Sequence, residues 1–328
     1  MNKRGQGVQF NWIFVIVAGA IILGFFVMFI FKFVELQEKR QDVQTVRFFS
    51  TGVISASSKL QIGSGGAAVD SKSDDGIRFG YNTNLGYECI DGDASVLINR
   101  GESAWYKLKD EIVFMDREIR FGALDGVDLW ILPWSYPYHI TNFIYLANSK
   151  TKIYLVYDSS GREIADNLEI SSVFNVESVP IENFDNAESG SKAVFFTRNE
   201  PNLDLLSRLS AGKSINFVYI AGNKAKFFDE GWSNAVEFYG EEQLYGAIFS
   251  NNADIFECNI NRALERTKNV GKIYSERARA VSQIDRREGC NYAPVVAGLN
   301  AYITGNINEN TKVGLERLNL IGGCVWVF

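Results

Sequence analysis

From Trp12 to Phe31 the chain runs WIFVIVAGAIILGFFVMFIF without a charged residue. At ~1.5 Å of rise per helical residue this run is long enough to cross a hydrocarbon layer ~30 Å thick. It is apolar on every side, where a soluble surface helix shows a single apolar stripe. The pattern predicts a transmembrane helix over residues 12–34, in contact with membrane lipid through residues 12–31. A cleaved secretory signal has a shorter apolar region that ends in small residues. Here no A-x-A site follows Phe31, and the run stops at Lys32 and a charged stretch. Beyond it, Leu36, Val43, Val46, Phe49 and Val53 fall on one helical face, which predicts an amphipathic neck over 35–60. The small, polar, glycine-rich stretch QIGSGGAAVDSKSDD reads as a linker over 61–75.

The remaining pattern divides in two. Over 76–150, short alternating apolar runs (YECI, SVLI, EIVFM, VDLWIL, NFIYLA) are separated by Gly, Asn and Asp, which predicts a β-rich lobe of antiparallel strands. Over 151–328, strand-like runs (IYLVYD, AVFFTR, INFVYIAG) alternate with helical ones (GREIADNLEISSVF, NLDLLSRL). That alternation predicts β-α-β units and a partly parallel sheet. A long helical stretch follows from Glu241 to Ile284, and GGCVWVF reads as a turn and a buried terminal strand. The fold class expected is mixed α/β, with an N-terminal transmembrane helix on residues 12–34 ahead of a three-layer-like body and C-terminal helices.

Charge narrows the partners. The first 34 residues carry three basic side chains and no acid, so the net charge of −6 conceals a more acidic body. An acidic body does not present the basic face that a polyanion needs, and no nucleic acid partner is expected. Lys3 and Arg4 before the span are matched by Lys32, Lys39 and Arg40 after it, so basic residues alone do not orient the helix. The short head, the long body and the even cysteine count favour residues 1–11 as a cytoplasmic leader and the body outside the cytoplasm.

Lys3-Arg4-Gly5-Gln6-Gly7 ahead of the apolar run resembles the class III signal peptide of archaeal type IV pilin-like proteins. The resemblance covers residues 3–34. It implies cleavage between Gly5 and Gln6 by a membrane peptidase, with the apolar helix kept on the mature chain. Filament-forming pilins carry a glutamate at the fifth mature position, where this chain has Phe10. The segment LYGAIFSNNADIFECNINRAL is similar to stretches of uncharacterised membrane-anchored archaeal proteins, which implies no site.

Motifs for chemistry are few. The four cysteines, Cys89, Cys258, Cys290 and Cys324, permit three pairings. The pairing favoured is Cys258 with Cys290, through a helical segment that brings its ends together, and Cys89 with Cys324. No metal site is expected from four scattered cysteines and one histidine. That histidine, His139, has no identifiable nucleophile as partner. Trp130, Trp134, Tyr136 and Tyr138 beside it form either a stacking surface for a ligand or, at strand spacing, core. The acidic turns Asp74-Asp75-Gly76 and Asp91-Gly92-Asp93 lack the spaced ligands of a calcium loop. The turn from Asp158 to Glu163 follows a strand and precedes a helix, where open α/β sheets bind phosphate. Its Ser159, Ser160 and Gly161 resemble the flavodoxin phosphate loop in type, and Arg162 offers a guanidinium to a phosphate.

These readings give a non-enzymatic, membrane-anchored interaction or structural protein of an archaeal cell envelope, with no catalytic residue, no cofactor and a protein partner at the cell surface. The alternative is a tethered flavodoxin-like domain that binds a ligand at Ser159, Ser160, Gly161 and Arg162.

Overall fold

The structure, a computed structural model, describes residues 15–32, 67–70, 77–78, 82–99, 103–108, 111–122, 125–285, 287, 289–305, 309–319 and 324–328. The Gly5–Gln6 junction, the neck and the Asp74–Gly76 turn lie outside the described residues. Helix α1 spans Val15–Lys32, with a mean hydropathy of 2.6 and none of its residues buried. Its length and composition fit a membrane span or a signal sequence. Residues Ser55–Phe328 form a separate unit, the body. Among the described residues the chain is mixed α/β, with seven helices and three sheets.

The first two sheets are built from the β-rich segment. In one, β1 (Ala67–Val69), β8 (Gly126–Ser135), β9 (His139–Asn148) and β6 (Ile112–Phe114) lie in that order, and β2 (Ile77–Arg78) also pairs with β8. The stretch read as a linker therefore contains a strand, with Ala67 opposite Ile131 and Val69 opposite Leu129. Three apolar residues among glycines and serines are too few to carry a strand period. In the second sheet, β5 (Ser103–Leu108), β4 (Asp93–Asn99), β3 (Thr83–Ile90) and β7 (Glu118–Phe121) are all antiparallel. Asp91 and Gly92 join β3 to β4 with φ of 50° and 85°. Two positive φ angles in a two-residue turn give the twist that flanking antiparallel strands require, which explains the Asp-Gly pair.

The third sheet has the order β11 (Asn175–Pro180), β10 (Lys152–Tyr157), β12 (Ser191–Phe196), β13 (Ile215–Ala221), β14 (Lys224–Phe228) and β15 (Val236–Glu237). The first four strands are mutually parallel, β14 is antiparallel to β13, and β15 is antiparallel to β14. This is the strand order of a doubly wound sheet, whose direction of winding reverses between β10 and β12. KIYLVY and SKAVFF are near-continuous apolar runs because both faces are covered. Ile153, Leu155, Val194, Phe196, Val218 and Ile220 pack on one side against Trp130, Tyr145, Phe249 and Phe256. On the other side Tyr154, Phe195 and Phe217 meet Phe184, Leu206 and Leu209.

The helices of the body are α2 (Arg162–Asn167), α3 (Leu203–Leu209), α4 (Glu241–Phe249), α5 (Ala253–Ile284), α6 (Ala293–Ile303) and α7 (Glu309–Asn319). The stretch expected to be helical from Glu241 to Ile284 is broken at Ser250–Asn252. There Asn252 caps α5, its side-chain oxygen accepting from Ile255 N at 3.0 Å. On α5, Thr267, Gly271, Ser275 and Ala278 are buried on one face. A Cβ on Gly271 would lie 2.5 Å from Tyr138 Oη, and that hydroxyl donates to Thr267 O at 2.9 Å.

Two expectations are corrected. The C-terminal residues Cys324–Phe328 are not a strand. Their N–H groups go to side chains instead: Val327 N donates to Asn319 Oδ1 at 2.7 Å and Val325 N to Tyr292 Oη at 2.9 Å. The disulfides join Cys89 to Cys258 and Cys290 to Cys324, not Cys258 to Cys290 and Cys89 to Cys324. Cys258 lies near the start of α5 and Cys290 beyond its end. At ~1.5 Å per residue a straight helix holds them roughly 40 Å apart, so the segment between them cannot return its ends to one place.

Candidate functional site at the amino ends of the parallel strands

A polar cleft of about 800 Å³ opens where the parallel strands begin. Thr151 before β10, Gly190 before β12, and Ser214 and Asn216 at β13 line one side. Gly86 to Glu88 of β3 and Asp116 to Arg120 of the β6–β7 segment line another, with Asn251 and Asn252 from the break between α4 and α5. That break is pinned to the cleft wall, because Arg117 N donates to Asn251 Oδ1 at 2.8 Å. The mouth carries both signs of charge, Glu88, Glu118 and Asp229 among Arg117, Arg120 and Lys150.

Behind its wall, across Asp116, Ile119, Asn148 and Thr151, lies a buried lysine. Lys192 is on the same face of β12 as Val194 and Phe196, because side chains repeat every second residue along a strand. It is 2% exposed, in a small cavity that it shares with Ile119, Leu146, Ile153 and Phe249. Its Nζ lies 2.5 Å from Asp116 Oδ1. Asn216, the Cα partner of Lys192 on β13, donates from Nδ2 to Asp116 Oδ2 at 3.2 Å. Burial pulls the Lys192 ammonium below its usual pKa, and the Asp116 carboxylate opposes that pull. A perturbed titrating group beside a cleft marks a candidate site. Sequence reasoning missed all three residues. The signal available was one lysine at a core-facing position in the apolar run SKAVFF.

The sequence-predicted turn lies elsewhere. Ser159, Ser160, Gly161 and Arg162 follow the carboxyl end of β10, at the winding reversal and at the far end of the sheet from the cleft. The backbone N–H groups of Ser160, Gly161 and Arg162 are already engaged, that of Arg162 with Asp158 O at 3.1 Å. Asp158 Oδ1 accepts from Ser160 N at 2.8 Å and Gly161 N at 3.2 Å, and from the Ser160 hydroxyl. Asp158 Oδ2 accepts from Arg198 N at 2.8 Å. Burial raises the Asp158 pKa, but these hydrogen bonds to its charged form outweigh burial and hold it below the usual range. A carboxylate of the chain thus stands where an anion would be held. Gly161 is required there, since a Cβ would come within 1.7 Å of Phe196 O. Arg162 points to Asp166 at 3.3 Å, both exposed.

Trp130, Trp134, Tyr136 and Tyr138 are 6%, 0%, 2% and 3% exposed, so they are core and not a stacking surface. His139 is exposed at the start of β9. Partial burial and the nearby positive charge of Arg266 hold its pKa below the usual value. Among the described residues no group of three His, Cys, Asp or Glu is placed to hold a metal ion. Comparison with protein families, curated proteins and solved structures gave no match to this chain.

Proposed function

We propose that this chain is a membrane-anchored protein whose body works outside the cytoplasm as an interaction or structural module of a cell envelope. The observation that carries the reading is an apolar helix of membrane-spanning length followed by a body whose four cysteines are all paired. Disulfides persist in oxidising compartments and are rare in the cytosol. The resemblance at Lys3 to Gly7 adds an archaeal, pilin-like leader cut between Gly5 and Gln6, with the N-terminus inside. The mixed-charge cleft is then the place where a polar partner at the cell surface docks. The alternative, ligand binding by the turn at Ser159 to Arg162, has the sheet order in its favour and the occupied N–H groups against it.

The test is protease treatment of intact cells, with alkylation of the unreduced chain alongside. Digestion of the body from outside and no alkylated thiol are expected. Four modified thiols, or a body protected until the cells are broken, would overturn the reading.

A further inference from the structure

We propose that Lys192 and Asn216 become joined by an intramolecular isopeptide bond, formed beside the cleft with Asp116 moving a proton between the two nitrogens. The inference does not depend on where the body resides. It rests on one arrangement: the amine of Lys192 and the carboxamide nitrogen of Asn216 sit on the two oxygens of a single carboxylate, at 2.5 Å and 3.2 Å. The two residues are direct Cα partners on adjacent parallel strands, so the backbone already holds nucleophile and electrophile side by side.

Amide exchange of this kind needs a neutral amine and an acid, and at neutral pH in water lysine and aspartate supply neither. Burial supplies the amine: Lys192 is buried beside Ile119, Leu146, Ile153 and Phe249, which favours its neutral form, and Asp116, bonded to both nitrogens, is placed to take up the proton that Nζ gives. Nζ then attacks Cγ of Asn216, and the Cγ–Nδ2 bond breaks as Asp116 delivers a proton to Nδ2. The second proton lost by Nζ passes by the same carboxylate to the departing nitrogen, which leaves as ammonium while Asp116 ends as the carboxylate. An ammonium, a carboxylate and a carboxamide become one secondary amide, one carboxylate and one ammonium ion. No oxidant, metal or further reactant enters. Asn216 lines the open cleft, which gives the leaving ammonium a way out. An amide to Asp116 itself would consume the acid, and among the described residues no other carboxylate bonds to either nitrogen.

The full-length chain, purified, reduced and denatured, decides by intact mass and a tryptic map. The proposal expects a deficit of one ammonia against the sequence of the mature chain. It also expects a branched peptide joining the segments around Lys192 and Asn216, with no cleavage after Lys192. Asn216→Ala keeps the Lys192–Asp116 pair, and in it the deficit and the branched peptide should both vanish. Recovery of Lys192 and Asn216 in separate linear peptides from the unaltered chain overturns the proposal whatever any variant does. A deficit of one water, with Asp116 in the branched peptide, overturns the assignment to Asn216.

Discussion

Asp158 governs the turn after β10 because one carboxylate closes two backbone donors of its own loop and one from Arg198. Asp158→Ala leaves those N–H groups to water and should cost about 1 kcal/mol, the scale of a lost cap, in urea unfolding. The folded pKa is depressed, so this stability is fully present above the unfolded value of about 3.9 and is lost as pH falls through the folded one. Asp158→Asn should therefore flatten the acid limb of the stability profile, and an unchanged limb would count against the assignment. Millimolar FMN or ATP should leave the melting temperature of the body unmoved; a saturable rise abolished by Arg162→Ala would restore the ligand-binding alternative. Tyr87 is a second such residue. Its buried hydroxyl donates to Asn259 Oδ1 at 2.7 Å, and Asn259 Nδ2 reaches Val113 O at 2.8 Å. Burial pushes the Tyr87 pKa up to about 12, so it remains a donor at any ordinary pH. Tyr87→Phe strands a buried acceptor and should cost about 1–3 kcal/mol. Neither role is legible in sequence. Tyr87 and Asn259 are far apart along the chain, and Asp158 reads as an ordinary turn residue until Arg198 is brought beside it.

Elements were legible where they are long or repeat their pattern. The strands at IYLVY, AVFF and INFVYIA and the helix over most of 241–284 follow from apolar runs and helical periodicity. β7, β11 and β15 are sheet-edge strands that escaped, because an edge strand exposes much of its length and so carries little apolar pattern; the interior strand β14 escaped as well, its KAKFF interrupted by lysines. α2 ends at Asn167, although a helical pattern continues through Phe174. The pairing of cysteines was illegible for a related reason: it depends on which element lies across from which, and Cys258 faces β3 because α5 packs there. Each bridge now gives a measurable ordering. Cys89–Cys258 closes a separation of 169 residues and Cys290–Cys324 one of 34. Chain entropy assigns them about 5 and about 4 kcal/mol respectively. Paired Cys→Ala substitution at the first should lower the midpoint of unfolding more than at the second. An inverted order would mean that the β3–α5 junction holds without its bridge, through contacts such as Tyr87 with Asn259. Gly271→Val tests the α5 interface. Its side chain must displace Tyr138 Oη, and overpacking of this kind costs about 1–3 kcal/mol.

At the scale of the whole molecule, stability and location belong to different parts of the chain. Among the described residues the buried ones begin at Thr83, and Ser55–Phe328 forms a unit of its own. In the Val15–Lys32 helix, in contrast, none of the residues is buried. Leaving a surface of that size in water is costly at roughly 25 cal/mol per Å² of apolar area, and a hydrocarbon layer removes the cost without any contact from the body. Removing the helix should therefore change where the protein is found and leave its folding intact. A chain beginning at Ser55, made in an oxidising compartment, should be soluble and should melt cooperatively with both bridges formed. The full-length chain should stay with membranes through an alkaline carbonate wash. The two measurements separate the parts: release of the full chain by carbonate would refute the membrane span, whereas a Ser55 chain that aggregates would show that the body needs residues before it to fold.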